Sequence, residues 1–209
     1  IEVDLITNQD AITKTRYIDS KYNEIVLRID EHDRCESLKI ESLGDESYDL
    51  AVVSDYNKGF LTESQLRKLP DIFNCKTFID TKKIIKSWAK PFHCVKINDL
   101  EFDRTLRWVG DVFIDHCENL VVTQGDSGAN LFHNNKCKAY PTKPVAINDV
   151  SGAGDTFFAG LVCEYIKSKS LDKAIKFANE CARAVVQKPN VAVVTASELQ
   201  ELTLVFPEI

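Results

Sequence analysis

The sequence predicts an α/β domain built on a mixed, mainly parallel sheet flanked by helices, with a β-hairpin appended near its start. Three observations predict it. From Asp49 onward, short apolar runs alternate with segments of helical periodicity, the pattern of βα units around a parallel sheet. A glycine-rich turn, Ser151-Gly152-Ala153-Gly154, leads straight into a long helix with an apolar side. The 209-residue chain is 44% apolar and 28% charged, ordinary globular composition with length enough for one buried core.

The elements follow in order. Residues 13–18 and 24–30 are β-rich and are separated by the turn formers of 19–23, which reads as a hairpin. Strands are expected at 50–54, 77–80, 93–97 and 120–123, with helices at 62–74 and 99–107 between them. Thr62 with Gln65, and Thr195 with Glu198, have capping-box spacing, in which each side chain satisfies an orphan backbone donor of a first helical turn. After Gln124 the chain turns antiparallel: 129–133 and 136–140 flank Asn134-Asn135, a turn pair that tolerates positive φ. Two long helices come next. In the second, Ala174, Ile175, Ala178, Cys181, Ala182, Val185 and Val186 form one apolar stripe. Repeats and interdomain linkers are missing, so residues 1–209 read as a single domain.

Composition narrows the function. With 26 basic and 32 acidic side chains the net charge is −6, which argues against the basic footprint of a nucleic-acid binder. Apolar runs such as Leu50-Ala51-Val52-Val53 are too short to span a bilayer, and the start lacks the pattern of a signal peptide. Seven cysteines without a CxxC pair point to free thiols, and a cytoplasmic location is the expectation. The chain begins at Ile1 and contains no methionine, from which a piece of a longer protein is expected.

The most informative segment is Asp149-Val150-Ser151-Gly152-Ala153-Gly154-Asp155-Thr156-Phe157. A helix N-terminus offers unpaired N–H donors and partial positive charge, and small residues let an anion approach closely. Asp155 falls in or beside the first turn. On its own the segment fits a capped glycine turn as well as an anion site. It contains neither a GxxxxGK[ST] loop nor the third glycine of GxGxxG, where Phe157 stands. Phosphoryl transfer would use both features: donors facing the charge that develops on the transferring group, and a carboxylate to take the proton of the attacking hydroxyl.

This segment closely resembles the C-terminal signature of the ribokinase-like sugar kinases. The resemblance implies that Asp155 is the catalytic base and that Gly152, Ala153 and Gly154 form the anion hole. Asn98-Asp99-Leu100-Glu101 is similar to the family's NxxE motif, implying that Asn98 and Glu101 organise magnesium and phosphates, although the same pair has capping-box spacing. Thr123-Gln124-Gly125 looks like its TxG nucleotide loop, and Asn179 and residues 188–193 fall where it builds the adenine pocket. The implied nucleotide-binding residues are therefore Thr123, Gly125 and Asn179, and the implied cofactors are ATP and Mg2+. Asp149 is a candidate for a K+ site beside the anion hole. Each match is weak alone, but all occur in the family's order.

Three more segments resemble the bacterial heptose 7-phosphate kinases, the kinase half of the ADP-heptose synthase used for lipopolysaccharide core. They are Thr13-Lys14-Thr15-Arg16 with Leu27-Arg28-Ile29-Asp30, Ser54-Asp55-Tyr56-Asn57-Lys58-Gly59, and Ile79-Asp80-Thr81-Lys82. In this branch Lys14, Arg16, Arg28, Lys58 and Lys82 would supply cations for a substrate that already carries a phosphate. The commoner fate of such residues is a solvated surface charge. Thr81, Asn57 and Pro189-Asn190 depart from the branch's usual residues, and the last pair puts the adenine contacts in doubt.

The expected function is ATP-dependent phosphorylation of a sugar phosphate, heptose 7-phosphate at O1. The alternatives are a kinase of the same family for another sugar or nucleoside, or a nucleotide-binding module without catalysis of its own. The resemblance also implies about a hundred further residues before the hairpin, carrying the main sugar-binding face. The sheet would then end in an exposed edge that a partner could cover, and the lid-type hairpin 13–30 is a candidate homodimer interface.

Overall fold

In the computed structural model, which describes residues 1–8, 12–22, 24–43 and 46–205, the elements follow the expected order. Strands β1 (Thr13–Asp19) and β2 (Glu24–Glu31) pair antiparallel as a separate two-stranded ribbon, with Arg16 opposite Arg28 and a bulge between Tyr17 and Ile18. Asp19 starts the turn: its Oδ1 accepts the backbone N–H groups of Lys21 at 2.7 Å and Tyr22 at 3.2 Å.

The main sheet has six strands in spatial order β3 (Ala51–Asp55), β4 (Thr77–Thr81), β5 (Cys94–Asn98), β6 (Leu120–Thr123), β7 (Ala129–His133) and β8 (Lys136–Tyr140). The first four run parallel, and β7 and β8 turn antiparallel on the edge of β6. Asn134 and Asn135, at φ 49° and 58°, make the tight turn between the last two strands.

Alternation along the strands divides the core in two. Val53, Ile79, Val95, Ile97, Leu120 and Val122 face one side, where they pack on Leu66 and Leu69 of α1 (Glu63–Phe73) and on Phe102 of α2 (Asp99–Val109). Phe78, Cys94 and Val121 face the other side and meet α3 (Ala153–Ser168) and α4 (Leu171–Val185). The result is three layers, helix–sheet–helix. The Thr62 capping box starts α1, with Thr62 Oγ1 accepting the Gln65 N–H at 3.3 Å and Gln65 Oε1 accepting the Thr62 N–H at 2.7 Å. The Thr195–Glu198 pair likewise starts α5 (Ala196–Val205).

Two features exceed the expectations. Short 3-10 turns at Ser87–Ala89 and Asp111–His116 carry Trp88, Ala89 and Phe113 into the first core. In α3 the buried face is wider than one stripe and includes both Phe157 and Phe158, because the helix packs against both the sheet and α4. At the β3 edge Val52 is half exposed, on the side away from α1. None of the described helices is long and apolar enough to cross a membrane.

Candidate active site

The loops that leave the carboxyl ends of β3, β4, β5 and β6 open at one edge of the sheet, where α/β folds bind ligands. The N-terminus of α3 faces the same edge. Gly152, in the left-handed region at φ 81°, is the N-cap, so no side chain caps the first turn. Asp155 lies exposed in that turn. Its Oδ1 accepts a hydrogen bond from the Tyr56 hydroxyl at 2.6 Å, which brings the loop after β3 to the start of α3.

Beneath Gly154 sits a buried ion pair. Lys96 and Asp80 share the α3 side of the sheet with Cys94 and Phe78, and Lys96 Nζ donates to Asp80 Oδ2 at 2.8 Å. A Cβ added to Gly154 would lie 3.2 Å from that ammonium, so glycine permits the close approach of the loop to the charge. Burial pushes the Asp80 carboxyl above the ordinary carboxylate range despite Lys96, and Asp80 Oδ1 has no hydrogen-bond partner.

At the end of β5, Asn98 and Glu101 form the reciprocal capping box of α2. Asn98 Oδ1 accepts the Glu101 N–H and Glu101 Oε2 accepts the Asn98 N–H, both at 2.8 Å. The second Glu101 oxygen meets Lys82 Nζ at 2.5 Å, and Lys82 also lies within the field of Asp80. Thr123 ends β6, its hydroxyl 3.5 Å from the Ile97 carbonyl, and Gly125 follows at φ 55°. Gly128 then closes this loop onto Tyr140: at φ 89°, a Cβ there would lie 2.2 Å from the Tyr140 carbonyl oxygen. Asn179 is buried rather than solvated and donates to that same carbonyl at 2.9 Å, so the TxG loop, β8 and α4 meet at one point.

The five candidate cations divide. Lys14 and Lys58 line a cavity of about 260 Å³ together with Cys35, Asp55, Tyr56 and Phe60, and Lys14 Nζ stands 5.0 Å from the Tyr56 ring centre. Lys58 pairs with Asp33. Arg28 is turned onto Asp30, which it contacts at 2.8 Å and 2.5 Å. Arg28 first, then the charges of Lys14 and Lys58, hold the Asp30 carboxyl below its ordinary range. The Asp149 carboxyl is held low mainly by the Ser151 backbone N–H at 2.7 Å and, least, by the charge of Arg16. Lys82 is thus the one of the five placed with Glu101 and Asp80 instead of with the hairpin.

Sequence reasoning missed Tyr56 as the partner of Asp155, the Lys96–Asp80 pair, and a second buried pair in which Lys83 Nζ contacts Asp55 at 3.1 Å and 2.9 Å. The available signal for Lys96 was a lysine inside the apolar strand Cys94-Val95-Lys96-Ile97. Together the site offers an exposed carboxylate beside an uncapped helix start, with a buried cation below it. That arrangement suits removing a proton next to a polyanion.

Both the sequence and the fold have known relatives. The bifunctional proteins HldE of Bradyrhizobium diazoefficiens and of a Nitratiruptor species are each 29% identical to the chain, over 91% and 93% of it. These matches cover 44% and 46% of the two proteins, so the chain spans about half the length of the curated relatives it matches. Among solved structures, the ribokinase of Thermotoga maritima superimposes with a TM-score of 0.76 at 17% identity, covering 91% of this chain and 69% of that one. The nucleoside kinase of Methanocaldococcus jannaschii gives 0.66 at 18% identity, covering 90% and 66%. The fold is therefore ribokinase-like. Residues 93–197, about half of the chain and including the α2 cap, the TxG loop and the start of α3, match the pfkB family of carbohydrate kinases, and the chain belongs to that family.

Proposed function

We propose that the chain transfers the γ-phosphoryl group of ATP to a hydroxyl of a sugar phosphate, heptose 7-phosphate at O1, in the supply of ADP-heptose for lipopolysaccharide core. The observation that carries this reading is the exposed Asp155 carboxylate in the first turn of α3, directly after the Gly152-Ala153-Gly154 loop. Asp155 takes the proton of the attacking hydroxyl. The loop amides, the α3 N-terminus and the Lys96 ammonium beneath Gly154 oppose the charge that develops on the transferred group. Thr123, Gly125 and Asn179 stand on the nucleotide side. Lys14, Lys58, Arg16 and Arg28 supply cations on the hairpin side for the substrate's own phosphate, and Lys82 supplies one beside Glu101. The heptose assignment is supported by the hairpin and loop segments and by the HldE relatives.

Magnesium, when bound with ATP, neutralises phosphate charge and fixes the geometry of the chain of oxygens. Asp80 and Glu101 fit it: both are buried carboxylates, and Asp80 Oδ1 lacks a partner. Asp149, tied to the turn before Gly152, is the candidate for a potassium site. We place the reaction in the cytoplasm, with ATP and a small sugar phosphate as its partners. A homodimer through the hairpin is supported by its two faces: Lys14, Arg16, Arg28 and Asp30 share one, while exposed Tyr17, Leu27 and Ile29 share the other.

Calorimetry with Mg-ATP, followed by a phosphoryl-transfer assay with heptose 7-phosphate, tests the reading. Micromolar binding and turnover that drops about 100-fold or more in Asp155→Asn are expected. A folded chain that binds no nucleotide overturns it. Binding without turnover favours the nucleotide-binding module that relies on residues outside this chain.

A further inference from the structure

We propose that Tyr56 is a positioning residue for the Asp155 base, an inference that rests on the kinase reading above. Its hydroxyl donates to Asp155 Oδ1 at 2.6 Å across 99 residues of sequence, a short bond of the charge-assisted kind. Burial first, and then the Asp155 carboxylate, hold the half-buried phenol above its ordinary value, so it remains a donor throughout the neutral range. With Oδ1 occupied, Oδ2 is the oxygen left to receive the proton of an acceptor hydroxyl. Orientation of a base by a third group is the logic of catalytic triads, here with a phenol in the orienting place.

The backbone that presents Tyr56 is clamped. Asp55 accepts from the Asn57 N–H at 3.0 Å, from Thr81 Oγ1 at 2.8 Å and from Lys83 Nζ at 3.1 Å and 2.9 Å. The Asp55 carbonyl accepts the Lys82 N–H at 2.9 Å. The backbone that carries Tyr56 is therefore held by Asp55 on β3 and by the end of β4. The same ring lines the 260 Å³ cavity and lies under Lys14 Nζ at 5.0 Å. One side chain thus touches the base, the wall of the cavity and the hairpin above it, and a sugar phosphate seated in the cavity would meet a base already oriented.

The test is Tyr56→Phe, which keeps the ring and its contact with Lys14 and removes only the hydroxyl. Initial rates with Mg-ATP and heptose 7-phosphate are measured beside the affinity for a non-hydrolysable ATP analogue. On the order of a tenfold fall in kcat is expected, with KM for ATP and analogue affinity within about twofold of wild type. An unchanged kcat overturns the proposal. A raised kcat overturns it too, because the phenol would then compete with the acceptor hydroxyl for the base. A second readout needs no turnover: with 13Cζ-labelled tyrosine, the Tyr56 signal, assigned by its loss in Tyr56→Phe, should move in Asp155→Asn. A signal indifferent to that change overturns the contact itself. A wild-type chain that phosphorylates no sugar phosphate overturns the underlying kinase reading, and the NMR result tells the two failures apart.

Discussion

Lys96 Nζ lies 2.8 Å from Asp80 Oδ2 inside the sheet, and the Gly154 backbone rests on that ammonium. Both side chains are buried, so neither charge has water to fall back on. Lys96→Met would leave Asp80 a buried carboxylate with one oxygen already unpaired. Destabilisation by about 3 kcal/mol at neutral pH is expected from urea unfolding, and the double variant Lys96→Met/Asp80→Leu should recover most of it. Because burial already raises the Asp80 carboxyl, the folded variant takes up a proton more readily than the unfolded chain, and the loss should shrink as pH falls. A single variant as stable as wild type would mean that the pair contributes nothing.

Glu101 has two separable jobs. Its Oε2 completes the α2 cap, and its Oε1 pairs with Lys82. Glu101→Gln keeps an oxygen for the cap and removes the charge, so stability should change by less than about 1 kcal/mol. Magnesium-dependent ATP affinity should fall by at least about tenfold, since Glu101 is one of the two carboxylates that fit the ion and even groups that only orient a ligand cost that much. Glu101→Ala loses both and should cost about 1 kcal/mol more in unfolding experiments. Wild-type ATP affinity in Glu101→Gln would reduce this residue to a helix cap.

The architecture was legible where local chemistry decides it. Apolar runs of strand length, the Thr62 and Thr195 caps and the Asn134-Asn135 turn each specify a short stretch through neighbours in sequence, and each reappears within a residue or two. The start of α3 was legible for the same reason, since Gly152 and Asp155 act through the helix end they create. What the sequence could not show is which long-range partners meet. The resemblance gave Asn179 a nucleotide-binding role, but nothing in the sequence showed that its partner is the Tyr140 carbonyl 39 positions away. Lys82 and Lys83 are adjacent and chemically alike, but successive residues leave the end of β4 in opposite directions. One reaches Glu101 at the start of α2 and the other Asp55 at the end of β3. Tyr56 lay inside a matching segment, but its contact with Asp155 was not legible, because that contact exists only once the loop after β3 and the start of α3 are folded side by side.

At the opposite end of the strands, His93 joins a polar cluster that makes stability depend on pH. Its Nδ1 lies 3.2 Å from Glu118 Oε2 and its Nε2 lies 2.9 Å from the Tyr165 hydroxyl. Lys76 Nζ donates to that hydroxyl at 2.5 Å, so the Tyr165 proton is directed to a neutral His93 Nε2. Burial, aided by the Lys76 and His133 charges, holds the imidazole below its ordinary value, and Glu118 offsets this only in part. The folded chain therefore binds fewer protons at this site than the unfolded chain. Its contribution is fully present above about pH 6.5 and is lost as pH falls through the folded-state value. Chemical unfolding between pH 7.5 and 5 should show stability rising with pH, the His93 share of the slope staying below ~1.4 kcal/mol per pH unit, the limit for one proton. His93→Gln keeps polar contacts without titrating, and its slope should be shallower over the same range. Equal slopes in the two proteins would place the pH dependence elsewhere, on the carboxylates that titrate at lower pH.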